Sequence, residues 1–224
     1  MLFDTAYFFA WVLTFIFGTA FQKYCQTFVA QRLGDSTSRS KGRLTLKPAA
    51  HHEPLGLLFA FLLSLGYPAI AWGKPLTIDT YRIRGGRLGR SIVALVGPLS
   101  YLLLALLIWL ASKFYIESPA PKDLLARLLV GIIVVNLILC AFNLIPIPPL
   151  DGYDLIRGIL PKDWEPRLLW LEQYGILVLV VLVLILPFFL QINILFEFFV
   201  IPVTTALGGL LGVGDLVRSF LGSL

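Results

Sequence analysis

Apolar residues lie in long uninterrupted runs, not in the alternating spacing of half-buried strands. The first run extends from Ala6 to Ala30, the third from Ser91 to Ala111 and the fourth from Leu125 to about Ile145. Each has the roughly 20 apolar residues that a helix needs to cross a hydrocarbon core. A second run, Leu55 to Trp72, is broken by Gly66, Tyr67 and Pro68. The fifth, Ile176 to Leu190, and the sixth, Ile194 to about Leu211, are separated only by Gln191-Ile192-Asn193, which predicts a tight helical hairpin or one kinked unit. The pattern predicts an all-α polytopic membrane protein with five or six apolar segments. It divides into a core over residues 1–155 and a C-terminal helical hairpin over 156–224 packed on that core.

Polar residues concentrate between the runs. The linker from Gln31 to Glu53 carries Arg32, Arg39, Lys41, Arg43 and Lys47 against Asp35 and Glu53, and its stretch Gly42-Arg43-Leu44-Thr45-Leu46 reads as a short strand or extended piece. A second basic stretch holds Lys74, Arg82, Arg84, Arg87 and Arg90. Both flanks of the second run are thus positive. Positive flanks stay on the cytosolic side, so this run fits a re-entrant hairpin, with a full span as the alternative. The basic linkers imply the cytosolic side, which places the N-terminus outside. A weakly acidic loop is expected from Tyr153 to Leu171. The start MLFDTAYFF has neither a basic region nor a small-residue cleavage site, so the first segment is expected to be retained.

Composition agrees with this plan. The 224 residues are 58% hydrophobic and 14% charged, with mean hydropathy +0.87, against about 25% charged in soluble domains. The net charge of +5 sits in linkers. That placement suits anionic headgroups and makes nucleic acid an unsuitable partner. Cys25 and Cys140 both lie in apolar runs with no C-x-x-C, so no disulfide framework is expected.

Several motifs resemble one family. Arg32-Leu33-Gly34-Asp35, Gly42-Arg43-Leu44-Thr45-Leu46-Lys47-Pro48, His51-His52-Glu53-Pro54-Leu55-Gly56, Trp72-Gly73-Lys74-Pro75, Ala94-Leu95-Val96-Gly97-Pro98-Leu99-Ser100 and the run from Asn136 and Asn143 through Pro146, Pro148 and Pro149 to Asp151-Gly152 occur in that order. Together they resemble the compact bacterial site-2 proteases, intramembrane zinc metalloproteases. The resemblance spans about residues 20 to 155 and implies a site-2 protease-like helix bundle in a bacterial inner membrane.

The family places His-Glu-x-x-His where this chain has Gln22-Lys23-Tyr24-Cys25-Gln26. Both histidines are replaced by glutamines and the glutamate by lysine. The family's third ligand falls on Asp151, and the asparagine after its Gly-Pro-x-Ser falls on Tyr101. Gln22 and Gln26 still share a helix face, but a neutral amide oxygen is a poor zinc ligand beside an imidazole nitrogen. Lys23 starts as a cation and has no lone pair with which to activate water. A Lys23–Asp151 ion pair is the economical expectation, and no cofactor is expected; zinc enters only if the chain is a divergent protease.

Each remaining position has a plain structural reading beside its family one. Cys25 and Tyr24 flank the glutamine face. His51 and His52 are expected at the membrane edge, and Glu53 is a candidate groove or structural residue. Gly97-Pro98 permits close helix packing and places proline near a helix start. Asn136 and Asn143 are expected to bond between helices, with Asn143 nearest Asp151. Tyr101 packs with a hydroxyl in need of a partner, and the prolines with Gly152 form a rigid turn. The leading functional reading is a non-catalytic homologue that binds transmembrane helices of other proteins. A divergent intramembrane protease and a transporter or channel subunit are the alternatives.

Overall fold

A computed structural model describes residues 5–67, 69–79, 81–116, 123–190 and 193–222. The predicted break at Pro68, the loop between the third and fourth runs at 117–122, and the Gln191-Ile192 link lie outside the described residues.

The described chain is helical, without a sheet. The first long helix, α1 (Thr5–Arg32), is continuous and contains one wide π-helical turn at Thr14–Gly18. Next comes α2 (Pro54–Ser64). Its 11 residues rise about 17 Å at 1.5 Å per residue, about half of a roughly 30 Å core. The second apolar run is therefore not one spanning helix. After α2 the chain continues without helix over 69–79 and begins α3 at Gly86 on the far side of the second basic linker.

Helices α3 (Gly86–Ile116) and α4 (Leu124–Asn143) cross fully. A short amphipathic helix, α5 (Asp151–Ile159), follows the prolines, then α6 (Pro166–Leu190), α7 (Phe196–Leu210) and α8 (Gly214–Leu221). Four of these, α1, α3, α4 and α6, are long and apolar enough to cross a membrane; α2 and α7 are shorter apolar helices. The chain is thus built as an integral, multi-pass membrane protein.

Two sequence expectations need correction. Gly42 to Leu46 is not a strand: Gly42 adopts φ +71°, which turns the chain, and Arg43 donates from its guanidinium to the Ala50 carbonyl at 2.7 Å. The one sheet-like pairing among the described residues is His52 with Gly73. The loop expected from Tyr153 to Leu171 instead holds α5 and the start of α6. Asp151 and Asp154 in its first turn and Arg157 in its last suit the helix dipole, a signal masked by the low overall hydrophobicity of the stretch.

Helices α1, α3 and α4 form the centre. Trp11, Trp109, Ile133, Val134, Leu137 and Ile138 are buried among them, with Val200, Val213 and Val217 packing from α7, the turn after it, and α8. The α5 helix lies on α3, where Gly158 sits against Ser91. Helix α6 differs: 11% of its most apolar stretch is buried, against 44% to 56% for the other long helices.

Asp35 stitches the two basic linkers together. Its carboxylate accepts from the Thr37 and Asp79 backbone N–H groups, both at 2.8 Å, while Arg84 N donates to Leu33 O at 2.7 Å. Burial alone would raise the Asp35 pKa, but hydrogen bonds from Thr37 and Asp79 and the Arg82 charge outweigh it and hold it below the usual value. Asp35→Asn puts an amide N–H₂ against those donors and is expected to cost about 1–3 kcal/mol. Because the folded-state pKa is lowered, this stability is present above the ordinary carboxylate value and is lost as pH falls through the depressed one. Thermal unfolding of both chains across acid pH should show the gap closing in that direction.

Candidate functional site

The candidate site lies where α1, α3 and the start of α5 meet. Gln22 and Gln26 are one helical turn apart on α1 and both are buried, at 2% and 1% exposure. Gln22 Nε2 donates to Asp151 Oδ2 at 2.7 Å. Gln26 Nε2 lies beside the same carboxylate, both pressed against Gly97, and its hydrogen bonding favours the ionised form of Asp151. Its Oε1 accepts from Lys23 Nζ at 3.3 Å. Behind Gln22, Tyr101 Oη donates to Gln22 Oε1 at 3.2 Å and lies 3.1 Å from Thr19 Oγ1. A continuous polar chain thus runs Thr19–Tyr101–Gln22–Asp151–Gln26–Lys23 through an apolar bundle.

This geometry corrects the expected Lys23–Asp151 contact pair. No nitrogen–oxygen approach within 4 Å joins the two; the Gln26 amide stands between them, oxygen toward the ammonium and nitrogen toward the carboxylate. The charges still sense each other. Desolvation pushes the Asp151 pKa up, while the Lys23 charge and the Gln26 and Gln22 hydrogen bonds pull it back.

Backbone shape sets this arrangement. Gly97 on α3 faces Asp151 and Gln26, and a Cβ there would lie 2.0 Å from Asp151 Oδ2 and 2.6 Å from Gln26 Nε2. Gly152 presses its α-carbon against the Leu144 and Ile145 carbonyls, where a Cβ would fall 2.2 Å from Leu144 O. These two glycines bring the α5 acid against the α1 amides. Gly97→Ala is expected to destabilise the chain by about 1–3 kcal/mol through overpacking, read by thermal unfolding in detergent. A melt equal to the parent's contradicts the close packing.

The other expected site residues scatter. Pro98 is inside α3, not near its start, because that helix already begins at Gly86. Asn136 and Asn143 do not bond between helices: their amides donate back to Ile132 O and Leu139 O at 2.8 Å, the carbonyls one turn earlier. Tyr24 stacks on Phe28, and Cys25 is half-buried on the flank of α1. His51 and His52 are buried within the protein. Their Nε2 atoms lie 2.7 Å from Thr45 O and 2.9 Å from Ile16 O, the latter in the wide turn of α1. Desolvation lowers both histidine pKa values, reinforced at His51 by the charges of Arg43, His52 and Lys23 and at His52 by Lys74.

Glu53 accepts weakly from Trp72 Nε1 at 3.4 Å. Both border a cavity of about 2350 Å³, as do Gln22, Lys23, Gln26, Tyr101, Asn143, Pro149 and Asp151. Pro146 is exposed on the turn. Thr19 and Trp72, which the motifs did not single out as site residues, belong to this set. Thr19 precedes Gln22 by three positions, and that spacing was the available signal.

Comparison with known proteins gives a consistent result. The Bacillus subtilis protein named Putative zinc metalloprotease YwhC is 30% identical over 178 residues, covering 76% of this chain and 78% of that protein. The chain belongs to the site-2 family of zinc metalloproteases. Proteins named Putative zinc metalloprotease Rip2 from Mycolicibacterium smegmatis and Mycobacterium tuberculosis are 32% and 30% identical across 72% of the chain. The chain spans 61% of the length of each Rip2 protein. No family model matches the chain, and no solved structure does.

The residues do not fit the family's zinc. Of the three ligand positions only Asp151 offers a strong donor, and its carboxylate accepts from two amides. Their N–H groups, not lone pairs, point to where a cation would sit. Among the described residues no group of three or more His, Cys, Asp or Glu is placed to hold a metal. This site-2 homologue is therefore a zinc metalloprotease by ancestry without an intact metal-binding site. The replacement preserves charge balance. A zinc dication with glutamate and aspartate sums to zero, and so does one ammonium with one aspartate, which matters in a bundle surrounded by lipid.

Proposed function

We propose that this bacterial membrane protein is a non-catalytic site-2 protease homologue that binds transmembrane segments of other membrane proteins. The observation that carries the reading is the closed hydrogen-bond chain at the ligand positions, bordering a cavity that is still large. The amides satisfy Asp151, so the site has neither the donors to hold zinc nor a carboxylate beside it to take a proton from water.

The cavity is lined on its apolar side by Phe15, Ile138, Leu139 and Phe142 from the core and by Leu179, Val180 and Val183 from α6. The polar chain borders the same cavity. Helix α6 is tied down near its first turns, where Tyr153 Oη donates to Leu168 O at 2.8 Å, Arg157 pairs with Glu172 at 2.9 Å, and Pro148 meets Gly175. Beyond that point Ile176, Leu177, Ile185 and Phe188 are exposed, while Leu179 is buried. An apolar helix of a partner gains from such a surface by packing and by matching the few polar groups within it.

A photo-crosslinking residue at Val183, facing the cavity, is expected to capture a defined membrane protein in cells. The same probe at Lys113, near the opposite end of α3, should not. Equal capture at the two positions contradicts a cavity-specific partner.

A further inference from the structure

We propose that the two basic linkers form one platform that binds the headgroups of anionic phospholipids. The linkers are far apart in sequence but are joined in the fold. Besides the Asp35 and Leu33 bonds already described, Ser38 Oγ donates to Thr77 O at 2.6 Å and Lys41 Nζ to Thr77 Oγ1 at 3.1 Å. The joined surface exposes Arg32, Arg39, Lys41, Lys47, Arg82 and Arg84. Of the linkers' three acids, Glu53 accepts from Trp72 at the cavity, and the other two do little to offset the cations. Asp35 is 1% exposed and committed to backbone N–H groups. Asp79 pairs with Arg82 at 3.1 Å, and among the described residues none of the other five cations has a carboxylate within 4 Å.

Location decides the ligand. Arg32 is the last residue of α1, and Arg84 lies just before Gly86, where α3 begins, so the platform sits where two membrane-crossing helices leave the bilayer on one side. Large apolar side chains are interleaved with the charges: Leu46 is 57% exposed, Leu88 56% and Tyr81 fully exposed. Arg32 also lies over the Phe28 ring, 4.9 Å from its centroid. Cations beside tyrosine and leucine at the end of a span suit the boundary of phosphate and acyl chain, with the ring and the leucines entering the lipid. An acidic soluble protein matches the charge but not the apolar side chains at that depth.

The full chain, in micelles mixing phosphatidylglycerol and phosphatidylcholine, is examined by native mass spectrometry for retained lipid. Preferential retention of phosphatidylglycerol is expected. Arg32→Gln with Arg84→Gln should weaken it on the order of 25-fold, about fivefold per cation. Arg39→Gln with Lys41→Gln is a second, more exposed pair expected to act in the same direction. Lys113→Gln, on the other end of α3, should leave it unchanged. Equal retention of the two lipids, or an undiminished preference in both double variants, overturns the proposal. So does inorganic phosphate displacing the lipid at matched concentration, which would make the surface a free-anion site, or an acidic peptide displacing it, which would assign the surface to a protein partner.

Discussion

Restoring three residues, Gln22→His, Lys23→Glu and Gln26→His, is expected to yield a chain that purifies with about one zinc ion, the stoichiometry of a site with three protein ligands. The expectation rests on position. Gln22 Nε2 bonds Asp151 Oδ2 and Gln26 Nε2 faces Gly97 beside that carboxylate, so imidazoles on the same α1 face would approach the same point. The Gly97 and Gly152 contacts that seat Asp151 there are unchanged by the reversal. Partial variants separate the contributions. Lys23→Glu alone removes the cation but supplies no nitrogen ligand, and should leave the chain without stoichiometric metal. The two histidines with Lys23 retained should bind zinc more weakly than the triple variant, because the ammonium repels it. Metal content by mass spectrometry reads all three. A triple variant that folds and still holds no zinc would show that the site has diverged in shape as well as in ligands.

The second large effect concerns charge balance. Asp151→Asn removes the partner charge of Lys23 and sets an amide N–H₂ against the Gln22 and Gln26 donors. Breaking a buried charge pair from one side costs about 3–5 kcal/mol; here the charges are bridged, and Lys23 is half-buried, so about 2–3 kcal/mol is the expected loss. Lys23→Met in the same chain should restore a large part of it, since the two sites are coupled through Gln26. Thermal unfolding of the parent, both single variants and the double variant forms the cycle. Additive losses would show that Lys23 and Asp151 act independently.

Sequence reading was sound where hydropathy governs and weak where side-chain direction governs. The long helices were visible because lipid leaves little choice: Ser91 to Ala111 and Leu125 to Ile145 can cross only as helices. Their ends were not, because α3 extends through Arg87 and Arg90, which pair with α5 rather than ending the helix: Arg87 donates to Arg157 O at 2.6 Å and Arg90 meets Asp154 at 2.8 Å. Helix α5 is hidden in the sequence because the low overall hydrophobicity of the stretch masks the charges at its two ends.

At the site, the loss of zinc ligands was legible residue by residue from Gln22, Lys23 and Gln26. What replaced the metal was not. Lysine and aspartate in one bundle suggest direct pairing, but the Gln26 amide can face both charges at once, and only the packing of α3 at Gly97 shows that it does. The 3.1 Å approach of Thr19 to Tyr101 spans 82 positions and has no local signature.

The central claim is that a hydrogen-bonded chain from Thr19 to Lys23 stands where this family holds zinc. Its most direct test is elemental analysis of the unmodified protein, purified in detergent without chelator after expression in zinc-supplemented medium. The account predicts substoichiometric zinc, unchanged by Asp151→Ala. About one equivalent of zinc per chain, as in an intact family site, lost on Asp151→Ala and accompanied by cleavage of a transmembrane substrate, would contradict it.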